Sequence, residues 1–407
     1  MNEDQQRAFE KVKQGNNVII TGGAGTGKSY LLGHIAENCQ GPSALTAMTG
    51  AAAVLINGST LHSALSIGLA KDTAEKIAAK ISLNRRWTKY YEIKSLEVLM
   101  IDEVSMLNDE LFEKVSKILQ IIRENHKPFG GLQVILVGDL YQLPPVEGKY
   151  CFQSDHWKEC NFEICELTQN MRQKDDQPFI EMLSRLRLGR CSRADLETLK
   201  ALKNTQFPEG IQPTRLYCKN VDVDCINNTE LAKLKQELTI YSARFSGIVE
   251  DSKRYAKSSN VPDHVSLCVG AQVMVTYNID NVRQIVNGTR GVVVSLNQTS
   301  VTLRLMDGRI EQINFLRYQN EDMPDIDFTY LPIKLAWAVT IHKSQGMTLD
   351  AIEIDIGENI FIVGQAYTAL SRARNLKSVR VLDVAARSFC TSKDVIDFVQ
   401  SDKSTEC

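Results

Sequence analysis

The run Gly22-Gly23-Ala24-Gly25-Thr26-Gly27-Lys28-Ser29 combines the residue types that a polyphosphate requires. Glycines accept the φ angles that turn successive backbone N–H groups inward around phosphate oxygens. Lys28 would reach the outer phosphates and the Ser29 hydroxyl would ligate Mg²⁺, so the loop predicts ATP as ligand and Mg²⁺ as cofactor. Asp102-Glu103 supplies two adjacent carboxylates with different tasks. Asp102 would hold the hydrated Mg²⁺, and Glu103 would orient and deprotonate the attacking water. Phosphoryl transfer also needs cations that meet the γ-phosphate as charge spreads over its oxygens, and Arg172 and Arg372 are the candidates by context. On spacing alone, either arginine could equally sit in a surface ion pair.

These residues need elements to position them. Val18 to Thr21 is a short apolar run feeding the loop, and Tyr30 to Asn38 reads as a helix, the strand-loop-helix order of a phosphate site. Buried-strand runs at Ser43 to Thr46, Leu96 to Ile101 and Gln133 to Val137 each end before a polar cluster, which puts those clusters on the carboxyl edge of a parallel sheet. Leu107, Leu111, Val115, Leu119 and Ile122 recur at helical spacing, as a covering helix would. From Val265 to Ile313, β-branched runs separated by Asn287-Gly288 and Asp307-Gly308 predict a small antiparallel barrel. α/β character returns with a strand at Ala351 to Ile356, a helix over Phe361 to Ala373 and a strand at Ser378 to Leu382. The barrel is therefore expected as an insertion in a second α/β domain.

Composition limits the partners. Lys plus Arg (47) nearly balance Asp plus Glu (49), so a polyanion must be held by a local groove. The N-terminus has neither a charged n-region nor an apolar h-region, and no run has membrane-helix length; an intracellular, non-secreted chain with no membrane partner is expected. Ten scattered cysteines, none in a Cys-x-x-Cys pair, suit free thiols in a reducing compartment. Cys151, His156, Cys160 and Cys165 crowd one segment, but their spacing is not that of a zinc finger or ribbon.

The ordered motifs resemble, over nearly the whole chain, superfamily 1 helicases of the Pif (petite integration frequency) type, related to phage Dda and bacterial RecD. Asn2-Glu3-Asp4-Gln5 is similar to the family's glutamine element, which implies Gln5 as the adenine contact. Thr49-Gly50-Ala51-Ala52-Ala53 and Gly58-Ser59-Thr60-Leu61-His62 resemble elements that grip single-stranded DNA. Asp102-Glu103-Val104-Ser105-Met106-Leu107 looks like the Walker B stretch. Gly138-Asp139-Leu140-Tyr141-Gln142-Leu143-Pro144-Pro145-Val146 looks like the coupling element, in which Gln142 would sense the γ-phosphate and the loop, with Pro144, would touch DNA. The Arg172 and Arg372 segments resemble the two arginine fingers. Val286-Asn287-Gly288-Thr289-Arg290-Gly291 resembles the barrel hairpin, and Thr340 to Thr348 resembles the second domain's DNA-contacting element, with His342 and Lys343 as contacts and Gly346 at the nucleotide.

The resemblance implies an α/β fold with two RecA-like parallel-sheet motor domains. The first would cover residues 1–165 with a small insert at about 63–94; the second would cover 166–230 and 325–400, interrupted by an SH3-like β-barrel at 231–324. Thr49, Thr60, His62, His342 and Lys343 carry hydroxyl, imidazole and ammonium groups suited to backbone phosphates. Trp337 either stacks on a base or packs in the core, the commoner fate of a lone Trp in an apolar run. Arg85, Arg86 and Lys89 with Trp87, Tyr90 and Tyr91 stand where relatives carry a strand-separating wedge, and a solvated face explains them equally well. The chain begins almost at the glutamine element, like a minimal motor core.

The leading expectation is an ATP-dependent DNA helicase, a monomer on DNA, moving 5′ to 3′ on single strands. It would unwind forked or tailed duplexes in DNA replication, repair or recombination. An ATP-gated module that clamps a strand without separating duplexes would use the same residues. A P-loop enzyme acting on small molecules or proteins, such as a kinase, would leave the Thr340 to Thr348 element and both arginine segments without a task.

Overall fold

The computed structural model describes residues 1–403 apart from 84–86, 172–175, 208–211, 219, 259–260, 278, 281–282, 284, 286–287, 306 and 321–322. The chain divides into two compact units. One comprises Met1–Ala201, Ile356–Leu376 and Val384–Cys407, and the other Leu202–Asp355 and Lys377–Asp383.

In the first unit, β1 (Val18–Gly22), β2 (Ser43–Ala47), β3 (Ser59–Thr60), β4 (Val98–Asp102), β5 (Gln133–Gly138) and β6 (Glu163–Leu167) form one sheet in the order β3-β2-β4-β5-β1-β6. Every pairing in it is parallel. β1 and β4 are buried along their full length, which explains why they read as continuous apolar runs rather than alternating ones. The helix Asp109–Arg123 starts where Asn108 Oδ1 accepts the Leu111 N–H at 2.8 Å, and it buries Phe112, Val115, Ile118, Leu119 and Ile122 against one face of the sheet. The expected insert is helical, at Ala74–Leu83 and Trp87–Ser95, and its Ile77, Ala78 and Ile81 join the same core. Cys151 and Cys160 also pack there, and Cys165 packs in the opposite core. Burial pushes the Cys151 and Cys160 thiols up to about 12, which opposes the thiolate form that a metal site needs.

In the second unit, β7 (Thr214–Tyr217) precedes a mostly antiparallel region: β8 (Thr239–Ser242), β9 (Arg244–Gly247), β10 (His264–Leu267), β11 (Gln272–Val275), β12 (Arg290–Leu296), β13 (Ser300–Leu305), β14 (Ile310–Asn314), β15 (Leu316–Asn320), β16 (Met323–Tyr330) and β17 (Ile333–Leu335). The order β14-β13-β12-β11-β17 makes a five-stranded antiparallel sheet, with Asp307-Gly308 turning between β13 and β14 as the sequence predicts. β17 extends this sheet past residue 324. β10 pairs with β8, and β15-β16-β9 form a separate sheet. β18 (Ala338–Thr340) and β19 (Ile352–Ile356) then flank β7 in parallel, and β20 (Val379–Val384) lies beside β19. Antiparallel strands thus stand in the chain between the parallel strands β7 and β18.

The grouping of segments differs from the expected domains at three places. Residues 166–201, 356–376 and 384–400 belong to the first compact unit, and Arg187, Tyr367 and Arg372 from these segments bond to Asp139 or Gln142 after β5.

Candidate functional site

The phosphate loop leaves β1 at Gly22 and enters the helix Lys28–Glu37 through Gly27, whose φ is +82°. A Cβ at Gly27 would meet Gln5 Nε2 at 2.6 Å and displace that amide, and the left-handed φ there favours glycine. Gln5 is fixed by a capping box with Asn2, and its Nε2 donates to Thr26 O at 3.4 Å. Lys28 Nζ donates to the Gly22 and Gly23 carbonyls at 2.8 and 2.9 Å. Burial pulls the ammonium below its ordinary pKa, while Asp139 and Glu103 oppose that shift. Loop amides, a helix N-terminus and a lysine thus converge in an anion cradle, with Gly23, Ala24, Gly25, Thr26 and Gly27 as its wall.

Asp102 ends β4 beside this cradle. Ser29 Oγ donates to Asp102 Oδ2 at 3.4 Å, and the Glu103 N–H donates to Asp102 Oδ1 at 2.8 Å. Glu103 takes a left-handed conformation at φ +56°, uncommon for a side-chain-bearing residue and typical of functional turns. Burial, then the charge of Glu103, pushes the Asp102 carboxyl up to about 7. A hydroxyl and a carboxylate held together, where burial penalises the bare anion, form a hard-oxygen donor set that fits Mg²⁺.

The loop after β5 carries the remaining chemistry. Asp139 is fully buried and accepts from Arg187 Nε at 3.0 Å and from Tyr367 Oη at 2.9 Å. Gln142 Nε2 donates to Asp139 Oδ2 at 3.5 Å, and Gln142 Oε1 accepts from Arg372 Nη2 at 3.4 Å. Arg372 is 2% exposed and also donates to Thr368 O and Ser371 Oγ. Burial lowers its pKa, and Glu103, Tyr367 and Asp139 act in the other direction. Arg187 ends the helix Gln177–Arg187, reaches Glu166 at 3.4 Å and lies 4.3 Å from the Tyr141 ring centroid. Burial disfavours its charge, but Asp139, Tyr367 and Glu166 outweigh that and hold the guanidinium above its ordinary range. The helix carrying Tyr367 spans only Gln365–Leu370, shorter than the expected Phe361 to Ala373. Gly364 is its N-cap and delays its start: its φ is +73°, and a Cβ there would meet Gln142 O at 2.5 Å.

Lys28, Ser29, Asp102, Glu103, Gln142 and Arg372 are therefore gathered in one unit. Arg172 lies outside the described residues. The chain just before it is anchored on the loop, with Asn170 Nδ2 donating to Ala24 O at 2.9 Å and Met171 N to Gly25 O at 2.7 Å. Arg187 gave no signal in the sequence, because a basic residue in a helix's last turn is ordinary.

The expected DNA contacts fall on turns. Thr49 Oγ1 accepts the Ala52 N–H at 3.1 Å next to the helix Gly50–Leu55, and Thr60 Oγ1 accepts the Ser63 N–H at 3.2 Å. His62 is half-buried, which lowers its pKa, and Pro144 is half-buried near the exposed Val146. In the second unit, Thr340 Oγ1 accepts the Lys343 N–H at 3.2 Å; Lys343 is exposed, burial lowers the His342 pKa, and Gly346 follows at φ +79°. Lys334, which the sequence reading passed over, is brought to about 8 by burial and by Lys343. Lys343 on this turn and Lys334 on β17 are neighbouring amines that suit a phosphate backbone.

Trp337 requires a correction. It is 5% exposed and packs in the barrel core, which leaves no ring face for a base. The core reading of this residue holds, because an indole in an apolar run buries more area than it offers to a ligand. Of the wedge candidates, Arg85 and Arg86 lie outside the described residues, Tyr91 is exposed, and Lys89 pairs with Glu92 at 2.8 Å. Val286 and Asn287 of the barrel hairpin also lie outside them. Arg290 is buried and donates to Gln212 O at 3.1 Å and Thr214 Oγ1 at 2.8 Å. Among the described residues, no helix is long and apolar enough to cross a membrane.

Comparison with known proteins identifies relatives. Residues 1–197 match the family model of the PIF1-like helicase, and residues 255–296 match that of the 2B domain of the DNA helicase Pif1. The ATP-dependent DNA helicase PIF1 of Danio rerio is 38% identical over 420 residues, covering 98% of this chain and 63% of that protein. The chain thus spans under two thirds of this relative's length. The crystal structure of the Pif1 helicase from Candida albicans has a TM-score of 0.85 at 33% identity, covering 98% of this chain and 99% of that one. A Pif1 helicase from Bacteroides, crystallised with ADP-AlF3 and single-stranded DNA, has a TM-score of 0.74 at 30% identity, with 99% and 97% covered.

Proposed function

The chain belongs to the Pif1-type superfamily 1 helicases, and from that premise we propose that it is an ATP-dependent DNA helicase that moves 5′ to 3′ on single-stranded DNA and unwinds duplexes. The observation that carries this reading is the buried cluster in which Asp102-Glu103, Gln142 and Arg372 meet beside the phosphate loop. Lys28 and the N–H groups of the loop bind the outer phosphates. Glu103 takes the proton of the attacking water, and its strained turn fixes where that carboxylate starts. Arg372, already partly desolvated, meets charge that develops on the γ-phosphate, where a guanidinium contributes more than it would in water. Ser29 and Asp102 would hold Mg²⁺, which when bound would neutralise phosphate charge. Gln142 and Asp139 sit on one loop, so a change at the phosphates reaches a segment that also carries Pro144. Thr49, Thr60, His62, His342 and Lys343 hold the strand through its phosphates without reading sequence.

Strand displacement measured alongside oligonucleotide-stimulated ATPase tests the proposal. Stimulated hydrolysis with displacement is expected. Stimulated hydrolysis without displacement would favour an ATP-gated clamp, and ATPase indifferent to single-stranded DNA would overturn both.

A further inference from the structure

The phosphate loop has a second ligand made from the chain itself. The Ala24 N–H donates to Tyr367 Oη at 3.0 Å, and Tyr367 Oη donates its proton to Asp139 Oδ2 at 2.9 Å. A phenol has one proton to give, so commitment to Asp139 turns its lone pairs toward the loop. Arg187 Nε donates to the other oxygen of Asp139, Oδ1, at 3.0 Å. Tyr367 Oη and Arg187 Cδ both lie within 4 Å of the Cβ position at Gly23, at 3.7 and 3.8 Å, so the pair packs directly over the loop. Arg187 Nη2 is buried with no hydrogen-bond partner among the described residues, which leaves a charged donor at the same edge.

Resting on the reading of the loop as an ATP site, we infer that Tyr367 is a nucleotide-sensing positioning residue, whose hydroxyl competes with a phosphate oxygen for the Ala24 N–H. Inward loop amides serve phosphate oxygens in such sites, and a neutral phenol oxygen is a weaker acceptor than a phosphate. When the phosphate takes the N–H, Tyr367 keeps only Asp139. Asp139 also accepts from Gln142, so release of the hydroxyl bears on the residue that faces the γ-phosphate. The sign of the effect separates this from a packing role. A contact present only in the phosphate-excluding arrangement stabilises that arrangement, so its removal tightens nucleotide binding. A hydroxyl that only supported the fold would lower affinity or leave it unaltered when deleted.

Equilibrium titration of the full chain with mant-ADP and mant-AMP-PNP in Mg²⁺, for wild type and Tyr367→Phe, reads this sign. One neutral hydrogen bond corresponds to about fivefold, so Tyr367→Phe is expected to bind mant-AMP-PNP about fivefold tighter than wild type. Equal or weaker binding overturns the inference while the site stands. No binding of either nucleotide by wild type overturns the site reading itself, and the inference with it. A chain carrying 3-fluorotyrosine at position 367 supplies a second measurement that needs no deletion. Its fluorine resonance should shift on adding AMP-PNP, and an unmoved resonance at saturation contradicts displacement of the hydroxyl.

Discussion

Charge is handled in opposite ways at the phosphate loop of the first unit and at the Thr340 to Thr348 turn of the second. At the loop, Asp102, Glu103, Asp139, Arg372 and Arg187 are largely withdrawn from water; Arg187 pairs with Asp139, and Arg372 bonds to Gln142. On the turn, Lys343 is exposed and is in no ion pair among the described residues. Buried, pre-oriented charges need little reorganisation when charge moves during a reaction, which is what phosphoryl transfer demands. An exposed cation without a counter-charge exchanges small ions for phosphate, which gives adjustable, salt-sensitive grip. The first arrangement suits chemistry and the second suits a track that must be held and released.

The comparison breaks most visibly at Glu103. Glu103→Gln should retain nucleotide binding and lose turnover by roughly 10²–10⁴-fold, the usual worth of a positioned general base, as read by nucleotide titration and steady-state ATPase. Retained hydrolysis would remove the base from Glu103 and leave the buried cluster without its principal task. A smaller effect is expected at the turn. Lys343→Ala should weaken oligonucleotide binding several-fold and reduce the slope of log affinity against log salt by about 0.7, the share of one phosphate on a single strand. Trp337→Phe sharpens the contrast within the same unit. It should leave that slope unaltered and lower the thermal midpoint by a few degrees, roughly the cost of a smaller core ring. A changed slope in this variant would return Trp337 to the DNA surface.

How legible each part was depends on distance along the chain. The loop Gly22 to Ser29 and the pair Asp102-Glu103 are local patterns, readable because strand, turn and helix follow one another within a few residues. The parallel sheet was legible for the same reason: buried strands without alternation announce burial on both faces. Arg187 was not legible. It meets Asp139 from a helix whose last turn is basic in the ordinary way, and only folding makes that arginine a partner of the loop. Tyr367 lay within a segment that reads as plain helix, and its contact with Ala24 spans 343 positions of sequence. The late start of that helix came from its N-cap Gly364, whose close approach to Gln142 O is a tertiary constraint without a local signal. Trp337 illustrates the reverse case, a residue whose type suggested a ligand while its apolar neighbours already indicated the core.

The central claim is that ATP turnover at the buried cluster drives movement along one DNA strand in one direction. Duplexes bearing a single-stranded tail on only one end test it most directly, with wild type and ATP. The account predicts displacement of the 5′-tailed substrate and none of the 3′-tailed one. Displacement of the 3′-tailed substrate alone would reverse the direction, and displacement of neither, with hydrolysis intact, would contradict the helicase itself.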